Sequence, residues 1–276
     1  MQKNINIIWF VLICLPVRGI CETEDDFKFI NLSIGAGGFR ASSYVANYYN
    51  GSEKNVNKIS YVLGNSYWRN EIRQELNGRN FELYELPTNM RYKIATSVMA
   101  RLAIHTSLRS SLFIQVNQVN LIATDIFTLR VESSQPFISQ PDLKQCKIWG
   151  IESRSMIDAG LQQRNELEAQ NWYWFYEVAF NLTNTKVKEN AIEIEHFTKS
   201  IIDRGTYIPN QPLYDARPQS AIGIGLVGTI GWQYVINARA SCDFGLTTYL
   251  QDINLKGYKD FNTNFNLFFR LNLLTF

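Results

Sequence analysis

Two stretches of this chain combine residue types and spacings that could do chemistry. In His105-Thr-Ser107 an extended backbone puts an imidazole base and a hydroxyl nucleophile on one face. Asn117 or Asn120 further along could orient the histidine, following the base, nucleophile and orienter logic of a hydrolytic triad. The second stretch is Gly223-x-Gly225-x-x-Gly228 within "AIGIGLVGTIGW", the spacing of a loop that cradles a dinucleotide pyrophosphate. That loop must follow a strand and open a helix, with an acid about 20 residues further on. Here Ile222, Ile224, Leu226, Ile230 and Trp232 alternate with Gly223, Gly225, Val227, Thr229 and Gly231. The alternation runs on to Tyr234, so no helix opens and no nucleotide is expected. The inward glycines read as room for neighbouring side chains or as a point of strong bending.

The same period of two organises most of the chain. Over residues 90–105 the even positions, among them Met90, Tyr92, Ile94, Val98, Leu102 and Ile104, are mainly apolar, while the odd ones include Arg91, Lys93, Ser97, Arg101 and His105. This is a strand and not a helix, and it is far longer than the five or six residues usual in globular proteins. Residues 171–183 repeat the pattern, with Trp172, Trp174, Tyr176, Val178, Phe180 and Leu182 on one face. Their aromatic end, with Trp232 and Tyr234, reads as a girdle at the membrane–water interface. Further strands are expected at 27–37, 109–121, 124–133, 146–157, 191–200, 238–249 and 263–275.

The N-terminus explains where such strands would go. Lys3, an apolar run from Ile5 to Val17, Gly19 and Cys21, then the acidic Glu22-Thr-Glu-Asp-Asp26 have the parts of a secretory signal peptide. Residues 1–21 are assigned to it and 22–276 to one domain. The whole chain carries 27 Lys and Arg against 25 Asp and Glu, and Lys3 and Arg18 lie in the leader, so the remainder is balanced. A nucleic-acid partner would call for a basic excess. Only Cys146 and Cys242 follow the leader, without Cys-x-x-Cys or a Cys/His cluster. No disulfide framework, metal site or cofactor is therefore expected, and whether these two cysteines pair is left open.

No apolar run after residue 21 approaches the roughly 18 residues of a transmembrane helix. A chain of long amphipathic strands that enters a membrane must close into a barrel. The fold expected is all-β, an antiparallel transmembrane β-barrel of about 10 strands, with a range of roughly 8 to 12. Counting back from a C-terminus inside the envelope places the joints at 235–237, 184–190 and 106–110 inside. Those at 251–262, 201–220, 158–170 and 39–88 then fall outside. A near-absent outer turn at 122–123 and a long inner connection at 135–145 fit less well. Residues 40–88 form a long, partly helical outer loop, with a helix over 56–76, that would act as a lid or plug.

Strand parity turns Arg91, Lys93, Arg101, Glu177, Arg239, Asp243 and Arg270 toward the lumen. Opposite charges in a small barrel most simply pair and close it, since an unpaired buried charge is costly. The alternative is a charged constriction selecting small anions.

The signal peptide, the Tyr/Trp/Phe-rich alternating strands, the Asn-rich turns and the closing Phe265-Asn-Leu-Phe-Phe-Arg-Leu-Asn-Leu-Leu-Thr-Phe276 together resemble small outer-membrane β-barrel proteins of Gram-negative bacteria, of the Bacteroidota type. Phe276 departs from the pattern, since it shares the parity of Asn266, Arg270 and Asn272. The resemblance implies an outer-membrane location, contact with outer-membrane lipids and with other outer-membrane or periplasmic proteins, and a non-enzymatic role as a subunit or scaffold of a larger complex. A narrow pore or small-solute receptor gated by residues 40–88 is the second reading. The third is a lipid hydrolase: outer-membrane lipid hydrolases carry a His-x-Ser pair on one strand, which His105 and Ser107, with Asn117, resemble. Those enzymes turn the pair toward lipid, whereas parity turns His105 and Ser107 inward here.

Overall fold

Alternating side chains and the pairing they impose build a closed ring. The computed structural model describes residues 30–107, 109–133, 142–167, 171–202, 219–237 and 240–275. Its strands are β1 (Ile30–Arg40), β2 (Phe81–Glu85), β3 (Arg91–Tyr92), β4 (Ala95–His105), β5 (Ser110–Val131), β6 (Asp142–Glu166), β7 (Trp172–Ile194), β8 (Phe197–Ser200), β9 (Ser220–Asn237), β10 (Ala240–Gln251) and β11 (Asn262–Thr275). All pairings between strands are antiparallel, and β1-β4-β5-β6-β7-β9-β10-β11 closes on itself through β1 and β11. The wall thus has eight strands, at the low end of the expected range. Eight is the size whose interior side chains just fill.

Two of the expected strands, 124–133 and 191–200, are not separate wall strands. Residues 124–133 continue β5 without a break, and 191–200 are the end of β7 followed by β8. Nothing at Ile122–Ala123 turns the chain, because neither residue supplies the positive φ that Gly or Asn tolerates or the fixed φ of Pro. Three connections therefore change place. Residues 184–190 lie inside β7. Residues 158–166 belong to β6, whose return into β7 is at the end where β1 begins and β11 finishes. The connection between β5 and β6 is at the opposite end.

The two surfaces of the barrel differ in kind. Outward side chains form an apolar belt that includes Ile34, Ile114, Leu161, Phe180, Ile230 and Leu267, each about half exposed or more. On β7 the belt extends from Trp172 to Leu182 and gives way to Asn184 and Lys186, about the length a tilted strand needs to cross a bilayer core. A polar row marks its upper edge: Gln118 Nε2 donates to Ser153 Oγ at 2.6 Å, and Lys188 Nζ donates to Asn120 Oδ1 at 2.8 Å.

Above that row β5, β6 and β7 continue as a sheet flanked by β2, β3 and β8. Its inner face, with Leu121, Phe127, Leu129, Ile148 and Ile192, packs against a cap made of residues 41–80. The cap carries α1 (Ser43–Ala46), α2 (Ser60–Leu63) and α3 (Ser66–Glu75). The single helix expected over 56–76 is two helices, because Asn65 follows Gly64 and its side chain caps α3 by accepting from Tyr67 N at 3.0 Å and Trp68 N at 3.3 Å. Val45, Ala46, Ile59, Val62 and Ile72 are essentially buried. The long connection is thus a packed module that shares one apolar core with the sheet beneath it.

Candidate functional site: the barrel lumen and its cap

The inward faces collect nearly all the buried polar side chains of the wall. Arg101 on β4, Glu177 on β7, Asp243 on β10 and Arg270 on β11 are each under a twentieth exposed. Arg101 Nη1 donates to Glu177 Oε1 at 2.5 Å, and Arg270 Nη2 donates to the same oxygen at 3.0 Å. Arg270 Nε and Nη2 donate to Asp243 Oδ2 at 2.9 and 2.6 Å. Because β4 and β11 are well separated from β7 around the ring, the two bonds to Glu177 cross the lumen, while Asp243 holds Arg270 from the adjacent strand. Two positive and two negative charges meet, and amides fill the remaining valences: Gln162 accepts from Arg101, while Asn272 and Gln233 donate to Asp243.

A second tier lies above. Asp158 Oδ2 accepts from Asn117 Nδ2 at 2.7 Å, and its Oδ1 accepts from Asn181 Nδ2 at 2.5 Å. Tyr249 OH accepts from Asn117 at 3.3 Å. The third tier joins barrel to cap. Glu152 Oε1 accepts from Arg154 Nε at 2.6 Å, and Oε2 accepts from Tyr49 OH at 2.5 Å and Tyr92 OH at 3.0 Å. Tyr49 sits in the cap and Tyr92 on β3, and burial first and Glu152 second hold both phenols well above the ordinary range. None of Asp158, Asn181, Glu152 or Arg154 stood out in the sequence. Their signal was available, as each is a polar residue on the inward parity of a long strand.

Four of the seven residues expected in the lumen come together there: Arg101, Glu177, Asp243 and Arg270. Arg239 lies outside the described residues. Arg91 and Lys93 are exposed on the sheet above the barrel, and Tyr92 is buried instead. The reason is an extra residue. Tyr92 pairs with Ala123 and Ser97 with Val119, so residues 93–96 face only 120–122, and the surplus turns every side chain before it to the other face.

The His105 constellation does not assemble. His105 is half-buried, pairs with Ser111, and its Nε2 has no partner. Ser107 is exposed in the turn, where its Oγ accepts from Arg109 N at 3.3 Å and Ser110 N at 3.0 Å. Asn117 pairs with Met99, six residues along the strand from His105 and thus about 20 Å away at 3.3–3.4 Å per residue. It is engaged with Asp158. Asn120 faces outward beside Lys188. Ser107 is a turn-stabilising hydroxyl in this geometry.

The expected girdle residues meet on the outer face near the termini. Trp172 pairs with Tyr234 and Trp174 with Trp232. Their rings join Phe244, with centroids 5.0 Å apart for Trp172 and Tyr234 and 5.7 Å apart for Trp232 and Phe244. The glycine stretch runs through β9. At Gly231 a Cβ would come within 2.6 Å of both the Phe175 ring and the Phe244 carbonyl, so the glycine makes space for a lumen aromatic and for the adjacent backbone. Cys146 and Cys242 are both free thiols, one on the inner face under the cap and the other on β10. Burial pushes the Cys146 thiol up to about 11.

Among the described residues no group of three His, Cys, Asp or Glu is placed to hold a metal ion, and no helix is long and apolar enough to cross a membrane. A shallow cleft on the cap's outer side is lined by Arg69, Phe81, Glu82, Arg130 and Glu132. Its charges are already engaged, Arg130 with Glu82 and Glu132 with Asn80.

No family model matches the chain, and no curated protein is significantly similar to it. Its structural neighbours are Gram-negative outer-membrane β-barrel proteins. Neisserial surface protein A matches over 88% of this chain and 96% of its own, at 8% identity and a TM-score of 0.41. Ail, the attachment invasion locus protein of Yersinia pestis, matches over 90% of this chain and 99% of its own, at 8% identity and a TM-score of 0.40.

Proposed function

We propose that the chain is a non-conducting, non-enzymatic barrel of a Gram-negative outer membrane, of the Bacteroidota type, that anchors a folded outer cap and serves as a subunit or scaffold of a larger outer-membrane complex. The observation that carries this reading is the pairing of an apolar outer belt with a lumen crossed by the Arg101–Glu177 and Arg270–Glu177 bonds, with Asp243 bracing Arg270 from the adjacent strand. A lumen packed this way offers no path for a solute, which disfavours the pore. The separation of His105, Ser107 and Asn117 likewise disfavours the hydrolase. What remains exposed for recognition is the cap and the sheet beneath it. Rigid secondary structure presents these outside the bilayer, while the belt supplies contact with lipid. The loop 256–262 supports the cap from the barrel side: Tyr258 OH donates to Asn55 at 3.0 Å, and Tyr44 OH donates to Asp260 at 2.9 Å.

The test is extraction of the native protein from outer membranes in mild detergent, followed by a native gel and mass spectrometry. A defined band of higher mass with a reproducible partner in fixed ratio is expected. Repeated isolation as a lone monomer would overturn the scaffold role.

A further inference from the structure

Where the lumen meets the cap, several buried polar atoms are left without partners, and their chemistry is all of one kind. Arg154 is fully buried and spends Nε on Glu152, yet Nη1 and Nη2 have no hydrogen-bond partner. Thr185 sits opposite Arg154 in the β6–β7 ladder, is fully buried, and its hydroxyl is unpartnered. Asn264 Oδ1 accepts from Ser42 N at the base of the cap at 2.8 Å, while its Nδ2 is unpartnered. Guanidinium and amide nitrogens are donors only, and a hydroxyl can donate.

Burying donors without acceptors is costly, so such groups are rare in folded proteins and mark a missing partner. Arginine cannot relieve the cost by losing its proton. The carboxylate nearest to it, Glu152, accepts from Arg154 Nε, Tyr49 and Tyr92 and makes no bond to either Nη. A free pair of Nη groups matches the two oxygens of a carboxylate or phosphate, the bidentate pairing in which arginine is strongest.

We propose that this joint is an oxyanion-binding site: one small carboxylate- or phosphate-type group sits on Arg154 Nη1 and Nη2, with Thr185 as a supporting donor. The Tyr49 and Tyr92 hydroxyls on Glu152 close the site from above. Gly150 makes that closure possible, because the Tyr49 ring occupies the space a Cβ would take there. The ligand enters when the cap lifts, so the site ties the state of the outer module to an acidic group from solution or from a lipid headgroup.

The experiment is isothermal titration calorimetry of the full chain in detergent micelles, with inorganic phosphate and with acetate at constant ionic strength. Saturable binding at one site is expected. Arg154→Lys keeps the charge but loses the fork, and Thr185→Val keeps the shape but loses one donor. Each should weaken binding by about tenfold, the factor that one charge-assisted hydrogen bond is worth. Thr185→Val leaves the Glu152–Arg154 pair intact and so guards against a variant that does not fold. Absence of saturable binding of either anion by the refolded, lipid-free protein would overturn the site and leave water as the partner of these donors. Equal affinity in wild type and both variants would also overturn it, by placing the anion elsewhere. Two preparations then separate the sources. If refolded protein binds phosphate while membrane-extracted protein does not, and releases an acidic lipid on denaturation, the occupant is a headgroup. If both bind equally, it is a free anion.

Discussion

Arg270 and Glu177 meet across the lumen, with Arg270 Nη2 donating to Glu177 Oε1 at 3.0 Å while Arg101 donates to the same oxygen from another strand. One carboxylate thus holds two guanidinium groups together, and both would repel without it. Glu177→Gln is expected to destabilise the barrel by about 3–5 kcal/mol, the cost of breaking a buried ion pair from one side. Urea unfolding in lipid vesicles measures this, and a loss under about 1 kcal/mol would mean that the network is solvated.

Neighbouring glycines of β9 should respond in opposite ways. At Gly231 an added methyl meets Phe175 and the Phe244 carbonyl, whereas at Gly228 nothing lies within 4 Å. Gly231→Ala should cost about 1–3 kcal/mol through overpacking, and Gly228→Ala should stay within about 0.5 kcal/mol. The same unfolding assay compares them, and equal effects would contradict the register.

The outer belt should behave as a lipid-facing surface. Phe180 is 76% exposed on it, so Phe180→Arg would put a charge against hydrocarbon. The expected loss is about 2–4 kcal/mol in vesicles if this position sits near the bilayer midplane. An unchanged folding free energy in vesicles would remove Phe180 from the membrane.

How much of this was legible depended on what each signal encodes. Period-two alternation in 90–105, 171–183, 238–249 and 263–275 gave the strands and the parity of Arg101, Glu177, Asp243 and Arg270. It could not reveal the bulge at 93–96, because an extra residue in a strand carries no side-chain signature, and so Arg91 and Lys93 were turned the wrong way. The strand count was high for a different reason. Each strand was expected to end where a membrane ends, yet β5, β6 and β7 continue beyond the belt into the cap. The missing turn at Ile122–Ala123 was the clue to that continuity. Glu152, Arg154 and Asp158 were overlooked although their parity was readable. What parity cannot show is which inward residues reach each other across the ring, and the tiers depend on that.

The cap's hold on the barrel should weaken in alkali. Burial and Glu152 hold the Tyr49 and Tyr92 phenols above their ordinary range, so these groups keep their protons in the folded state at a pH where the unfolded chain loses them. Their contribution is complete below the unfolded value of about 10 and is lost as pH rises above it toward the folded values. Protease protection of residues 41–80 should therefore fall above about pH 10. Tyr49→Phe should make that fall shallower, and an identical pH profile in the variant would separate Tyr49 from the closure.

The central claim is that the lumen is shut by its own side chains, and planar-bilayer recording of the purified full chain tests it most directly. The account predicts no stable unitary conductance, either for the wild type or for a chain lacking residues 41–80, because the Arg101, Glu177, Asp243 and Arg270 tier lies below the cap. A steady open-channel current from the wild type, or one that appears when the cap is removed, would contradict it and restore the gated pore.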